Sequence, residues 1–84
     1  MQDKIKGVCE RLEKTLLAKN ADYGNSIVAS RLTKTTARER ILIRLDDKFA
    51  RLSTLLSREP AFESIEDTIL DIAGYCVLYL CAEE

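Results

Sequence analysis

Apolar side chains recur at intervals of three and four residues along three long stretches, and this periodicity constrains the fold more than any other feature. Such spacing gathers apolar groups on one side of an α-helix, whereas a half-buried strand needs strict alternation. The stretches cover residues 2–19, 36–57 and 64–82, with the turn-forming residues Gly24 and Pro60 between them. The pattern predicts an all-α fold, a small helical bundle of three long helices plus one short helix within a single domain.

Capping signals mark the starts of the second and third long helices. Thr36 precedes Glu39 by three residues, the spacing of a capping box, and Ser64 precedes Asp67 by the same distance. The second helix is expected to end near Ser57, because the chain's one proline follows shortly and forbids a continuous helix.

The segment 19–26 is the only turn-rich stretch of the chain. Gly24 supplies backbone freedom there, and a polar residue after it can cap the short helix, which would end near Leu32. Two interpretations stay open for this segment. It is either a plain corner between helices, or a loop in which Asp22, Tyr23 and the amides of a helix N-terminus surround an anion or a base.

The composition bounds the size and the partners of the domain. A chain of 84 residues builds one small core and gains stability when subunits pack together, so we expect a homo-oligomer. The 13 basic and 14 acidic residues nearly cancel, which argues against nucleic acid as a partner. No apolar run reaches about 18 residues and no signal-peptide pattern opens the chain, so we expect no membrane span and a cytoplasmic location.

The side-chain types exclude several chemistries. The chain contains no histidine, which removes the usual zinc sites and Ser-His triads. Cys9, Cys76 and Cys81 are odd in number and form no CxxC motif, so buried reduced thiols are expected instead of a disulfide or a metal site. Glu10 and Glu13 have a spacing used for magnesium, but the basic residues around them favour a solvated helix face.

Angular spacing predicts the inner faces of the second and third helices. The expected core-facing seam of the second helix consists of Leu42, Leu45, Phe49, Leu52 and Leu56. The expected apolar face of the third helix consists of Ile65, Ile69, Ile72, Ala73, Cys76 and Leu80. Asp67, Asp71 and Gly74 fall together on the other side of that helix, which is either half of a metal or phosphate site or the wet face of a core helix.

Polar flanks of these two helices could line one groove if the helices pack antiparallel. The candidate groove residues are Arg44, Asp47, Lys48 and Arg51 on the second helix and Asp67, Asp71 and Tyr75 on the third. Asp67 and Asp71 could hold Mg²⁺, and the basic side chains would bind phosphate oxygens. The alternative is a set of interhelical ion pairs, Lys48 or Arg51 with Asp67 or Asp71, that fixes the register of the helices.

Three ordered blocks carry a family resemblance. They read K-N-x-D-Y-G-N-S at 19–26, I-R-L-D-D-K-F-x-R-L at 43–52 and E-S-I-E-D-T-x-x-D-x-A-x-Y at 63–75. They closely resemble the nucleotide modification associated domain 1 family, a small domain of bacteriophages and bacteria, over roughly residues 18–82. The resemblance implies a helical domain associated with phage nucleotide or DNA modification, located in the host cytoplasm. Carried over by position, the polar motif residues are Asp22, Tyr23, Gly24, Arg44, Asp47, Lys48, Arg51, Asp67, Asp71 and Tyr75.

The helix pattern is similar, more distantly, to the all-α nucleoside triphosphate pyrophosphohydrolases of the MazG type. Those enzymes hold Mg²⁺ with an ExxE motif on one helix and an ExxD motif on the next. The corresponding positions here are Arg44-x-x-Asp47 and Asp67-x-x-x-Asp71, so basic residues stand where some of the acids are expected.

Three functions therefore stay open from the sequence. The first is binding of a nucleotide or a nucleotide-derived phosphate ligand, with Lys48, Arg44 and Arg51 on phosphate and Tyr23 or Tyr75 stacked on a base. The second is Mg²⁺-dependent hydrolysis of a nucleoside triphosphate, and Mg²⁺ is the one cofactor that the sequence suggests. The third is a protein–protein interaction module without a small-molecule ligand, in which the apolar C-terminal helix docks the partner.

Overall fold

The computed structural model of the chain describes residues 1–23, 32, 34–58 and 64–83, without the side chains of 21–23. Within these ranges the chain forms α1 (Gln2–Tyr23), α2 (Ala37–Ser57) and α3 (Ile65–Cys81), and no strand. The predicted all-α class with three long helices is confirmed. The short helix predicted to end near Leu32 lies outside the described residues except for Leu32 itself, which lies in a bend. None of the described helices is long and apolar enough to cross a membrane.

The predicted starts of α2 and α3 are confirmed at the level of hydrogen bonds. Thr36 Oγ1 accepts from the Glu39 amide at 3.1 Å, and the Thr36 amide donates to Glu39 Oε1 at 3.3 Å, which completes the capping box. At α3, Ser64 Oγ accepts from the Asp67 amide at 3.0 Å. The first helix differs from the prediction, because it continues past residue 19 to Tyr23. Its last residues tolerate helical geometry, and the chain reaches a glycine only at the next position.

Two contacts show that α2 and α3 form an antiparallel hairpin. Lys48 pairs with Asp71, and ten residues earlier in α2 the guanidinium carbon of Arg38 lies 5.0 Å from the centre of the Tyr79 ring. A step back along α2, from Lys48 to Arg38, therefore corresponds to a step forward along α3, from Asp71 to Tyr79. The second contact is a cation–π interaction, which joins the N-terminal end of α2 to the C-terminal end of α3.

The inner face of α2 is rotated from the predicted seam. From Ile41 onwards, the buried and half-buried side chains of α2 recur at heptad spacing, and they are Ile41, Leu45, Lys48, Leu52 and Leu55. The predicted seam shares Leu45 and Leu52 with this face, but its other members, Leu42, Phe49 and Leu56, are exposed. The prediction was wrong there because α2 carries two neighbouring apolar stripes, and the inner one contains a lysine that is paired in the fold.

The inner face of α3 also differs from the prediction. Thr68 and Gly74 are buried and Asp71 is half-buried, although the last two were placed on the solvent side. Among the residues of the predicted apolar face, Ile69, Cys76 and Leu80 are exposed. The whole helix is apolar enough that periodicity alone does not fix its rotation, and contacts with α1 and α2 decide it.

Gly74 is where α1 packs against α3. A methyl group at this position would lie 3.1 Å from Leu16 Cδ2 and 3.9 Å from Leu12 Cδ1, both in α1. The missing side chain thus lets the two helices approach closely.

The three cysteines are free, as predicted, but they are exposed rather than buried. Cys9 lies in the N-terminal half of α1, Cys81 is the last residue of α3, and Cys76 belongs to the exposed side of α3.

Candidate functional site

One carboxylate on α3 joins all three helices. Lys48 Nζ of α2 donates a hydrogen bond to Asp71 Oδ2 at 3.0 Å, and Lys19 Nζ of α1 lies 3.7 Å from Asp71 Oδ1. Each carboxylate oxygen therefore faces a different lysine. We call Lys19, Lys48 and Asp71 the three-helix cluster. Its ion pair between Lys48 and Asp71 confirms one of the interhelical pairs that the sequence predicted.

Burial decreases in steps across the cluster. The side chains of Lys48, Asp71 and Lys19 are 17%, 28% and 56% exposed, respectively. Lys48 stands between Leu45 and Leu52 in the inner apolar stripe of α2, and its ammonium group reaches the carboxylate. The cluster thus consists of a sheltered ion pair with a solvent-facing cation at its rim.

The other predicted residues of α2 surround the cluster on the solvent side. Arg44 and Arg51 lie one turn before and one turn after Lys48, and Asp47 lies beside it in sequence; all three side chains are exposed. None of the three side chains forms part of the sheltered pair, and Arg44 and Asp47 present their charges to solvent beside it.

The predicted residues of α3 divide in the same way. Tyr75 lies one turn after Asp71 and is half-buried, whereas Asp67 lies one turn before it and is exposed in the first turn of the helix. The Asp67 amide is bonded to the Ser64 cap, so this residue has the structural role of a helix-start acid.

The end of α1 brings a further part of the predicted site towards the cluster. Asp22 and Tyr23 are the last residues of α1, one turn beyond Lys19, but their side chains lie outside the described residues. Gly24 lies outside them as well. The backbone therefore places two of the predicted positions next to the cluster without fixing what their side chains contact.

Sequence reasoning missed Lys19. This residue opens the first motif block, Lys48 lies in the second and Asp71 in the third, so the cluster takes one residue from each block. A signal was present, because Asp71 is a poor helix former in the middle of a helix and needed a partner. Nothing in the spacing indicated that the partner would include a lysine of the first helix.

The charges at the cluster suit an anion better than a divalent cation. Among the described residues, no three side chains of the metal-binding types lie together. Asp71 already has two ammonium groups on its oxygens, and the closer one lies 3.0 Å away, where it would repel Mg²⁺. The residues present at Asp71 therefore do not fit a magnesium site in this arrangement.

Comparisons of the chain with protein-family models, with curated proteins and with solved structures gave no match.

Proposed function

We propose that this protein binds a nucleotide or a nucleotide-derived phosphate ligand at the three-helix cluster. The observation that carries the proposal is the meeting of two lysines on one aspartate, at the junction of three helices. Two ammonium groups facing one carboxylate leave one positive charge in the cluster, and the exposed Arg44 adds a second nearby. Phosphate oxygens are suitable acceptors for such a group of donors.

In the proposed complex, Lys19 and Arg44 contact the phosphate because both are exposed, while Asp71 holds Lys48 at the base of the site. Tyr75, half-buried one turn from Asp71, or Tyr23 at the end of α1 stacks on the base. Asp47 and Arg51 lie at the edge of the same surface and orient the ligand. The roles of Asp22 and Gly24 follow only from the family resemblance.

The resemblance to the nucleotide modification associated domain 1 family supports this proposal, since one cluster residue comes from each of its three blocks. It also leads us to propose a phage-type protein that acts in the cytoplasm of a host cell, and the small size of the chain leads us to propose a homo-oligomer. Mg²⁺-dependent hydrolysis of the MazG type has less support. Of the two proposed magnesium ligands, Asp71 is already paired with two lysines, which leaves the exposed Asp67 one turn away.

A thermal-shift screen of nucleotides, including cyclic and modified ones, tests the proposal with and without Mg²⁺. A ligand at a hundredfold excess over its Kd adds about 2.7 kcal/mol to the free energy of unfolding, and about 1 kcal/mol moves the Tm of a domain this size by roughly 4–8 °C. We expect at least one nucleotide to raise the Tm in the absence of Mg²⁺. The absence of any shift across the whole screen would contradict the proposal.

Two lysine variants sharpen the test. Lys19→Gln removes the solvent-facing cation of the cluster, and we expect it to weaken binding about tenfold or more, since a charge-assisted hydrogen bond contributes about 1.5–3 kcal/mol. Lys14→Gln removes another exposed lysine of α1, outside the cluster, and should leave the Kd unchanged. Equal losses in the two variants would indicate general charge attraction and no site at Asp71.

A further inference from the structure

We propose that the exposed apolar side of the α2–α3 hairpin is a homodimer interface, and that two hairpins pack there as a four-helix bundle. This inference does not depend on the ligand at the three-helix cluster. We define the second apolar face by its six exposed members, Leu42, Phe49, Leu56, Ile69, Cys76 and Leu80.

The members of this face follow one another at the spacing of packed helices. In α2 the three residues are seven apart, and the half-buried Leu45 and Leu52 fill the intermediate heptad positions. In α3 the spacing from Ile69 through Ala73 to Cys76 and Leu80 is four, three and four. Sustained heptad spacing is the pattern that lets one helix pack into another along its length.

The two stripes lie on the same side of the hairpin. In each helix, the exposed stripe lies one residue after the stripe that faces the other helix. Phe49 comes directly after Lys48 in α2, and Cys76 comes directly after Tyr75 in α3. One residue turns a helix by about 100°, and in an antiparallel pair this step leads to the same side from either helix. Gly74, one residue before Tyr75, points to the opposite side, where α1 packs. The second apolar face therefore lies opposite α1.

The chain exposes more surface than a compact monomer of its mass. The chain exposes 6828 Å², whereas a compact monomer of 9.5 kDa exposes about 5,000 Å². The difference, roughly 1,800 Å², is spread over the whole chain, and a standard dimer interface would bury about 800 Å² on each partner. Among the described apolar side chains only Ile41 and Leu55 are buried, so the core within one subunit is small.

A second copy of the chain is the partner that this face fits. None of its six positions is charged, so it offers no charge pattern that would select a partner of opposite sign. A two-helix face with heptad spacing needs another two-helix face, and a twofold axis through the hairpin supplies one with matching length and spacing. The predicted seam of α2 would then be a real packing seam, used between subunits instead of within one.

The native cysteines provide a test on the unmodified protein. In a single chain all three thiols are exposed. In the proposed dimer only Cys76 lies in the interface, so we expect a maleimide to modify it about tenfold more slowly than Cys9 and Cys81, as read by mass spectrometry. Light scattering after size exclusion should give about twice the 9.5 kDa of one chain.

Two matched variants complete the experiment. Phe49 and Ile43 lie on the same helix and are 54% and 57% exposed, but only Phe49 belongs to the second apolar face. We expect Phe49→Glu to be a helical monomer in which Cys76 reacts at the rate of Cys81, and Ile43→Glu to remain a dimer.

Three results would overturn the proposal. A wild-type monomer with a fully reactive Cys76 would show that the face is open in solution. A monomer with a protected Cys76 would mean that part of the same chain covers it. A dimer in which Cys76 reacts freely would place the interface elsewhere, and this outcome remains readable on the wild-type protein even where Phe49→Glu does not fold.

Discussion

The two sides of the α2–α3 hairpin differ in what packs against them. One side receives α1, close packing at Gly74 and a polar cluster in which Asp71 faces two lysines. The other side has no charge among its six members and no described helix packed against it. In a short chain, therefore, the inner face of a helix depends on which stripe finds a partner, and a paired lysine can belong to that stripe.

The largest expected change in the free energy of unfolding is at Ile41, and its neighbour Leu42 should show a much smaller one. Ile41 is fully buried, so Ile41→Ala should lower the free energy of unfolding by about 2–5 kcal/mol, enough to unfold a marginal domain. Leu42→Ala removes a side chain that is half exposed, and within one subunit it should cost less than about 1 kcal/mol.

Denaturant titration at two protein concentrations checks this pair. The loss caused by Ile41→Ala should not depend on concentration, whereas the loss caused by Leu42→Ala should grow at the higher concentration, where the dimer contributes more to stability. Equal losses for the two variants would remove the distinction between the two sides.

The next effect concerns the sheltered ion pair. Asp71→Asn leaves the ammonium group of Lys48 partly buried without its carboxylate, and we expect a loss of about 1–3 kcal/mol. Lys48→Met removes the charge but keeps the stem in the apolar stripe, so its cost should be smaller. In Lys48→Met/Asp71→Asn the remaining loss should be less than the sum of the two single losses, and additive losses would show that the pair is not coupled.

The smallest expected change in stability comes from replacing two glycines in helices. Gly7 has open space where a methyl group would go, so Gly7→Ala should stabilise the protein by about 0.5–1 kcal/mol through helix propensity. At Gly74 the same methyl group would press on Leu16 at 3.1 Å, so Gly74→Ala should gain less than Gly7→Ala or lose stability. Chemical denaturation measures both. Equal gains would mean that α1 does not pack closely on α3.

The helix starts were predictable from local sequence, and the rotation of the helices was not. A cap needs only residues three apart, so Thr36 with Glu39 and Ser64 with Asp67 fixed two helix starts. The inner face of α2 was ambiguous, because its two apolar stripes share Leu45 and Leu52. Distant partners had to decide between them.

The candidate site was predictable in part for the same reason. Lys48 and Asp71 attracted attention because each is an unusual residue at its place in a helix, and the structure brings them together. Lys19 could not be found, because its role depends on how α1 lies across α3 and Gly74 alone gave no hint of that packing. Tyr75 and Arg44 could be predicted only by position, one turn from Asp71 and from Lys48.

A nucleotide titration followed by two-dimensional amide NMR reports on both sides of the hairpin in one experiment. We expect the amides of Lys19, Lys48 and Asp71 to shift with ligand, while those of Leu56 and Leu80 on the second apolar face do not. Shifts confined to Leu56 and Leu80, or no shift with any nucleotide that stabilises the protein, would contradict binding at the three-helix cluster.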